Sequence, residues 1–439
     1  MAQEAADLII GARWVIPIEP VNAVFVRHAV VVRGGRIVAF LPMAEARRRF
    51  AAASQVSLER HVLLPGLVNL HTHAAMTLFR GLSDDLPLMT WLREHIWPAE
   101  RRFVSEEFVH DGTLLAAAEM IRSGVTCFND MYFFPGGAAR AVGRVGMRAV
   151  LGVIVLAFPT AWAGTEAEYF ERGAAVRSAN GNALLRYSLA PHAPYTVDDA
   201  AFARVRDLSV EWGAPVHVHL QETRHEVEES VQQYGVRPLA RLDRLGLVNE
   251  RLLAVHAVHL SDQEIALLAE RGAHVAHCPS ANLKLASGIA PVGRLLAAGA
   301  NVGVGTDGAA SNNRLDVLAE TRLAALLAKA ACEDASAVPA HEALRMATIR
   351  PARALGLEGE IGSLVPGKSA DLTAIEITGP ELEPCYDPAS HVVYAAGREH
   401  VTHVWVAGRP LLTERRLETI DLDQLREIAE RWQERIRET

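Results

Sequence analysis

The chain has 439 residues, 50% of them hydrophobic and 22% charged, and a formal net charge of −8. That balance fits a barrel with an accessory domain and excludes a general polyanion-binding surface, since no Lys/Arg-rich block occurs. Four scattered cysteines suggest no disulfide framework, and a first apolar run broken by Arg13 lacks the pattern of a signal peptide or a membrane span, so a cytoplasmic protein is expected.

In chain order, residues 1–60 read as the N-terminal part of a small β-sandwich, with two short strands flanking Gly34-Gly35 within Ala29–Val38. Residues 61–365 alternate short apolar runs with amphipathic stretches, the pattern of βα units. Eight runs fall near Val62–Leu70, Val125–Asn129, Arg148–Leu156, Leu184–Pro191, Pro215–Leu220, Leu252–Val255, His274–Cys278 and Asn301–Thr306. Eight such units predict an α/β fold, a (β/α)₈ barrel with its site at the C-terminal strand ends. Residues 366–439 supply the rest of the sandwich and a terminal helix, where Leu422, Leu425, Ile428, Trp432 and Ile436 keep helical spacing.

The first barrel run ends in His71-Thr72-His73. Strand side chains alternate, so both imidazoles face one side and can grip one cation. His219 and Asp307 also close apolar runs, which makes His71, His73, His219 and Asp307 the predicted ligands of a catalytic divalent metal, zinc first, with iron or manganese as alternatives. His217 competes with His219, because both face the same way; its greater distance from the strand end places it one layer down. No lysine occurs in Ala190–Tyr195 to bridge two ions, so one metal is expected. Glu222, three residues past His219, is placed to carry a proton to a ring nitrogen, against the alternative of a surface glutamate opening a helix. His256 either polarises the attacking water or is an ordinary buried imidazole, with His259 on the opposite face. Cys278 and Lys284 read as structural.

These residues resemble the amidohydrolase superfamily in its deaminase and chlorohydrolase branch, through His71-Thr72-His73, His219–Glu222, His256–Leu260, His277–Asn282 and Gly305–Asn313. The segment from Ala74 to Leu92, continuing through His95-Ile96-Trp97-Pro98-Ala99-Glu100, is similar to the 5′-methylthioadenosine/S-adenosylhomocysteine deaminases. The resemblance implies that Trp91 packs near a nucleoside, that Glu100 accepts hydrogen bonds from the ribose hydroxyls and that His192 touches the substrate; the alternative is a lid helix that meets no ligand. The implied reaction is hydrolytic deamination at carbon 6 of adenine. Water activated by the metal gives a proton toward Asp307 and His256, Glu222 serves ring nitrogen 1, and ammonia leaves through Asp307. Catalytic roles thus fall to Glu222, His256 and Asp307. The expected partner is a small nucleoside, with no nucleic acid and no membrane, and homo-oligomers remain open. The runner-up is an s-triazine or ammeline-type chlorohydrolase or aminohydrolase, followed by a guanine deaminase and a catalytically inactive scaffold.

Within the family, arginine near the third strand is expected to hold the amino-acid carboxylate of S-adenosylhomocysteine. Between Arg148 and Arg172 this chain has no arginine or lysine and carries Phe158, Trp162, Glu166 and Glu168. Methylthioadenosine is therefore the expected preferred substrate, the alternative being that Arg140, Arg144 or another strand end supplies the cation.

Overall fold

The computed structural model describes residues 3–437. Eight parallel strands follow one another around a barrel: Leu67–Thr72, Val125–Tyr132, Arg148–Val155, Leu185–Pro191, Val216–Leu220, Leu252–His256, His274–His277 and Asn301–Val304. Each strand is buried along nearly its whole length, which is why these segments read as unbroken apolar runs rather than alternating ones. Closure between the first and eighth strands uses the Asn69 side chain, which donates to Thr306 Oγ1 (2.8 Å) and accepts from the Thr306 backbone N–H (2.9 Å). The Asp307 N–H then donates to the His71 carbonyl at 3.0 Å. The returning helices begin where a polar side chain accepts a free backbone N–H. Thr165, Asp198, Thr223 and Ser261 all cap in this way, so the loops before them end at fixed points.

The predicted first run, Val62–Leu70, divides between two sheets. Phe50–Pro65 is a strand of the accessory sheet, and the barrel strand starts at Leu67. Gly66 makes the crossing: a Cβ there would stand 2.2 Å from Thr126 Cγ2 on the second barrel strand, so only glycine allows this approach.

Both chain ends build the accessory unit as one eight-stranded mixed sheet, which runs from Arg416–Leu417 through Leu372–Glu376, Phe50–Pro65 and Glu4–Val15 to Arg36–Pro42. The sheet curls until its far strand meets residues 367–370, with a bridge between Arg36 and Ser369 and the Ile37 N–H on the Lys368 carbonyl (2.9 Å). Ile10, Val30, Ile37, Leu63, Leu372 and Trp405 fill the interior of the curl. The terminal helix Leu422–Arg437 buries Leu425, Ile428 and Trp432, while Leu422 stays exposed. The Trp432 indole N–H donates to Asp111 at 2.9 Å.

Arg148 fastens the two units. At the start of the third barrel strand its guanidinium donates from Nε to Asp371 Oδ2 (2.9 Å) and from Nη2 to Oδ1 (3.3 Å), with both side chains almost wholly buried. Arg148→Ala should cost about 3–5 kcal/mol, because Asp371 would keep its charge without a counterion. Urea denaturation measures this, and a loss below about 1 kcal/mol would show that the pair is not the fastening.

Candidate active site

At the C-terminal mouth of the barrel, one ligand atom from each of His71, His73, His219 and Asp307 falls within 4.8 Å of the others. Nε2 of His71 and Nε2 of His73 each lie 3.2 Å from Asp307 Oδ1, and the Nε2 atoms of His71 and His219 are also 3.2 Å apart. Donors at bonds of about 2.05 Å around a tetrahedral ion stand roughly 3.3 Å apart, so the cluster has the dimensions of a zinc-type site. The far nitrogens agree with this. Nδ1 of His73 faces the Met131 carbonyl (2.6 Å) and Nδ1 of His219 faces the His192 carbonyl (2.8 Å). Carbonyls accept only, so those nitrogens carry a proton and Nε2 is the atom each ring turns to the centre, where its lone pair can meet a cation. His71 Nδ1 meets His217 Nε2 at 2.8 Å, which sets His217 beneath the cluster and outside it.

Charge follows the same geometry. Burial opposes a proton on His73, yet the Asp307 hydrogen bond and charge lift its pKa to about 9, while burial holds His71 down to about 4. Burial also works against the Asp307 carboxylate, but its bonds to His71 and His73 keep it well below the usual range. A proton thus sits where a divalent cation fits, and cation binding releases it.

The backbone is bent to aim these groups. Gln221, His256, Ala257 and Asp307 all have positive φ, at 51°, 69°, 47° and 61°. Such values in residues with side chains gather where the surrounding structure imposes them. Asp130, on the second strand, pins the turn after His71 by accepting from Thr72 Oγ1 (2.9 Å) and the Ala74 N–H (2.7 Å).

Glu222 is buried beside the cluster without contributing to it. Its Oε1 accepts from Ser287 Oγ (3.0 Å) and its Oε2 lies 3.8 Å from His256 Nε2. Burial raises its pKa, so the carboxyl takes up a proton more readily than a solvated glutamate. Glu226 accepts from the backbone N–H groups of Gln221 (2.7 Å) and Glu222 (2.8 Å), and so holds that turn. His256 Nδ1 donates to Asn282 Oδ1 at 2.8 Å, and its ring stacks 5.4 Å from that of His219. His259 Nε2 bonds the Ser287 carbonyl (2.8 Å), fixing the residue that touches Glu222. Ser287, Asn282, Glu226, Asp130 and Tyr132 had no assigned part in the sequence reading. Only Asn282 carried a signal, as the end of the His277–Asn282 motif. Cys278 is buried with its thiol pushed well up, and Lys284 is tied to Asp84 and Asn313, away from the cluster.

A cavity of about 500 Å³ opens directly over these groups. Trp91, Glu100, His192, Glu222, His256 and Asp307 all line it. The Trp91 indole N–H donates to the Ser83 carbonyl (3.0 Å), which sets the ring as a wall. Glu100 accepts from the Tyr132 hydroxyl (2.8 Å), and desolvation pushes its carboxyl up to about 7. Burial holds His192 down at about 3 and therefore neutral. Phe158 lines the wall that the sequence left without cations; Arg101, exposed and next to Glu100, is the one arginine or lysine among the described residues lining the cavity.

Residues 62–411 match the amidohydrolase family. The 5-methylthioadenosine/S-adenosylhomocysteine deaminase of Teredinibacter turnerae is 45% identical over 431 residues, covering 98% of each chain. That of Saccharophagus degradans is 44% identical over 432 residues, covering 98% of this chain and 97% of the relative. Among solved structures, an adenosine deaminase from Xanthomonas campestris with bound zinc superposes at a TM-score of 0.98 with 51% identity over both whole chains. The atrazine chlorohydrolase of Arthrobacter aurescens reaches 0.90 at 22% identity, covering 97% of this chain and 99% of its own, and shares the fold. With a family match that spans every strand carrying a cluster residue and 45% identity over 98% of the chain, the chain belongs to the amidohydrolase family and, within it, to the 5-methylthioadenosine/S-adenosylhomocysteine deaminases.

Proposed function

We propose that this enzyme deaminates adenosine-type nucleosides hydrolytically, with methylthioadenosine preferred, using one zinc ion held by His71, His73, His219 and Asp307. The observation that carries the reading is the convergence of those four donors beneath a cavity that also holds Glu222 and Glu100. When bound, the cation supplies Lewis acidity that makes a water nucleophilic near neutral pH. The remaining chemistry belongs to the chain. Asp307 takes a proton from the attacking water and returns it to the leaving amine. Glu222, held by Ser287, gives its proton to ring nitrogen 1 as carbon 6 becomes tetrahedral and takes back the hydroxyl proton of the added water as the carbonyl forms and ammonia leaves. His256, fixed by Asn282, orients the water from the other side.

Glu100 accepts from the ribose diol, for which a carboxylate offers enough lone pairs, while Tyr132 keeps it aimed. A triazine or a free base has no diol to meet that group. Trp91 covers the nucleoside and His192, neutral, bonds it. The four free cysteines are in keeping with work in the cytoplasm, and diffusible nucleosides are its partners.

The cavity wall near Phe158 and Leu156 suits a small thioether better than a charged amino-acid tail. Methylthioadenosine should therefore be turned over with kcat/KM roughly one to two orders of magnitude above that for S-adenosylhomocysteine, since the wall after the third strand offers no cation and the one arginine of the cavity, Arg101, is exposed beside Glu100. Adenosine should lie between them or near the better substrate. Ammonia release measured side by side on the three compounds and on ammeline tests both levels. Equal or better efficiency on S-adenosylhomocysteine would overturn the preference, and turnover of ammeline but no adenosine would overturn the reaction.

A further inference from the structure

A second cavity of about 500 Å³ lies apart from the metal cluster, where the loop after the eighth barrel strand meets the accessory sheet. Five arginines line it: Arg80, Arg122, Arg314, Arg398 and Arg415. Against them stands Glu119, which is shared, since it pairs with Arg80 through one oxygen and with Arg398 through the other (2.9 Å). Asp316 lies at the edge, 4.0 Å from Arg398 Nε. Arg122 and Arg314 form no ion pair within 4.0 Å among the described residues, although the charge of Arg314 reaches Asp316.

Three of the guanidiniums, those of Arg80, Arg398 and Arg415, are held in place. Arg415 donates from Nη1 to the carbonyls of Arg122 (2.9 Å), Arg398 (2.6 Å) and Val401 (2.8 Å), which leaves its other nitrogens for a ligand. Arg80 is anchored to the Asn313 carbonyl as well as to Glu119. Glu119 answers Arg80 and Arg398, so the positive charge left over on this cavity is that of Arg122, Arg314 and Arg415, which repel one another unless an anion enters. Planar forks of this kind match the oxygens of a phosphoryl group, which accepts from several at once.

We infer that this crevice binds a phosphate-bearing small anion, up to the size of a nucleotide, at a site separate from the deaminase centre. The occupant bridges Arg122 and Arg314 and so ties the loop that follows Asp307 to the accessory sheet. Both inorganic phosphate and a nucleotide phosphate carry the required chemistry, and a pyrimidine nucleotide separates them without offering the deaminase centre an adenine.

The test is calorimetric titration of the zinc-loaded full chain with UDP, inorganic phosphate and uridine at fixed ionic strength. UDP is expected to bind saturably and uridine not at all; phosphate binding as tightly as UDP identifies the free ion as the occupant, and weaker phosphate binding identifies the nucleotide. Arg122→Ala with Arg314→Ala should lower the affinity at least about tenfold, because two charge-assisted bonds are lost. The ligand-free melting temperature and kcat/KM for adenosine should stay as in the parent. Arg314→Ala alone, on an exposed side chain, repeats the test if the double variant does not fold. Saturable uridine binding, no saturable binding of either phosphate, or an affinity unchanged in these variants would overturn the site.

Discussion

Asp307→Asn should leave a folded protein that has lost about three orders of magnitude in kcat, the larger share of what a positioned acid–base group contributes. The carboxylate accepts on both oxygens, from the Gly308 N–H (2.8 Å) and from Ser311 Oγ (2.7 Å), besides facing His71 and His73. An amide has one accepting oxygen. Its NH₂ must therefore point either at the Gly308 N–H, which cannot turn away, or at Ser311, whose hydroxyl can rotate to accept. The second arrangement preserves the loop, so circular dichroism and the melting temperature should change little. What disappears is the capacity to take a proton and the negative charge opposite the three imidazoles, so the affinity for zinc should fall as well. Steady-state ammonia release at saturating zinc checks the prediction. A variant that keeps more than about a tenth of the parental rate under those conditions would remove Asp307 from the chemical step.

Glu222→Gln separates proton transfer from coordination. The carboxyl is outside the metal cluster, and glutamine can still accept from Ser287 Oγ through its own oxygen. Zinc content by elemental analysis should therefore match the parent, while kcat drops by about two to four orders of magnitude because the amide has no proton to give ring nitrogen 1. The raised pKa of Glu222, caused first by burial, means that the carboxyl can hold its proton at higher pH than a solvated glutamate. Parallel loss of zinc and activity would reassign Glu222 to the metal. Retained activity with full zinc would move the proton path elsewhere.

Much of this site was legible in the sequence because its donors sit at the ends of apolar runs, and a run that ends in His or Asp carries its own position. His71 and His73 were paired by the two-residue period of a strand, and His219 was separated from His217 by distance to the strand end. The eight runs, their order and the helical stripe of the tail were legible for the same reason: periodicity is local. The boundary at Gly66 was not. Val62–Leu70 is one apolar run, and only the approach of Thr126 from another strand shows that the chain changes sheets within it.

The groups that aim the site were decided by tertiary structure alone. Ser287 on Glu222, Asn282 on His256 and Tyr132 on Glu100 join residues 65, 26 and 32 positions apart, on separate strands, helices and loops. No spacing rule connects them, and each acts only because the closed barrel brings its loops to one mouth. The positive φ of His256 and Asp307 is equally invisible in the chain, since neither is glycine; it follows from strand ends held by their neighbours. The arginine crevice has the same origin. Arg80, Arg122, Arg314, Arg398 and Arg415 are dispersed singly along the sequence, and it takes the curl of the accessory sheet against the eighth-strand loop to make one positive surface of them.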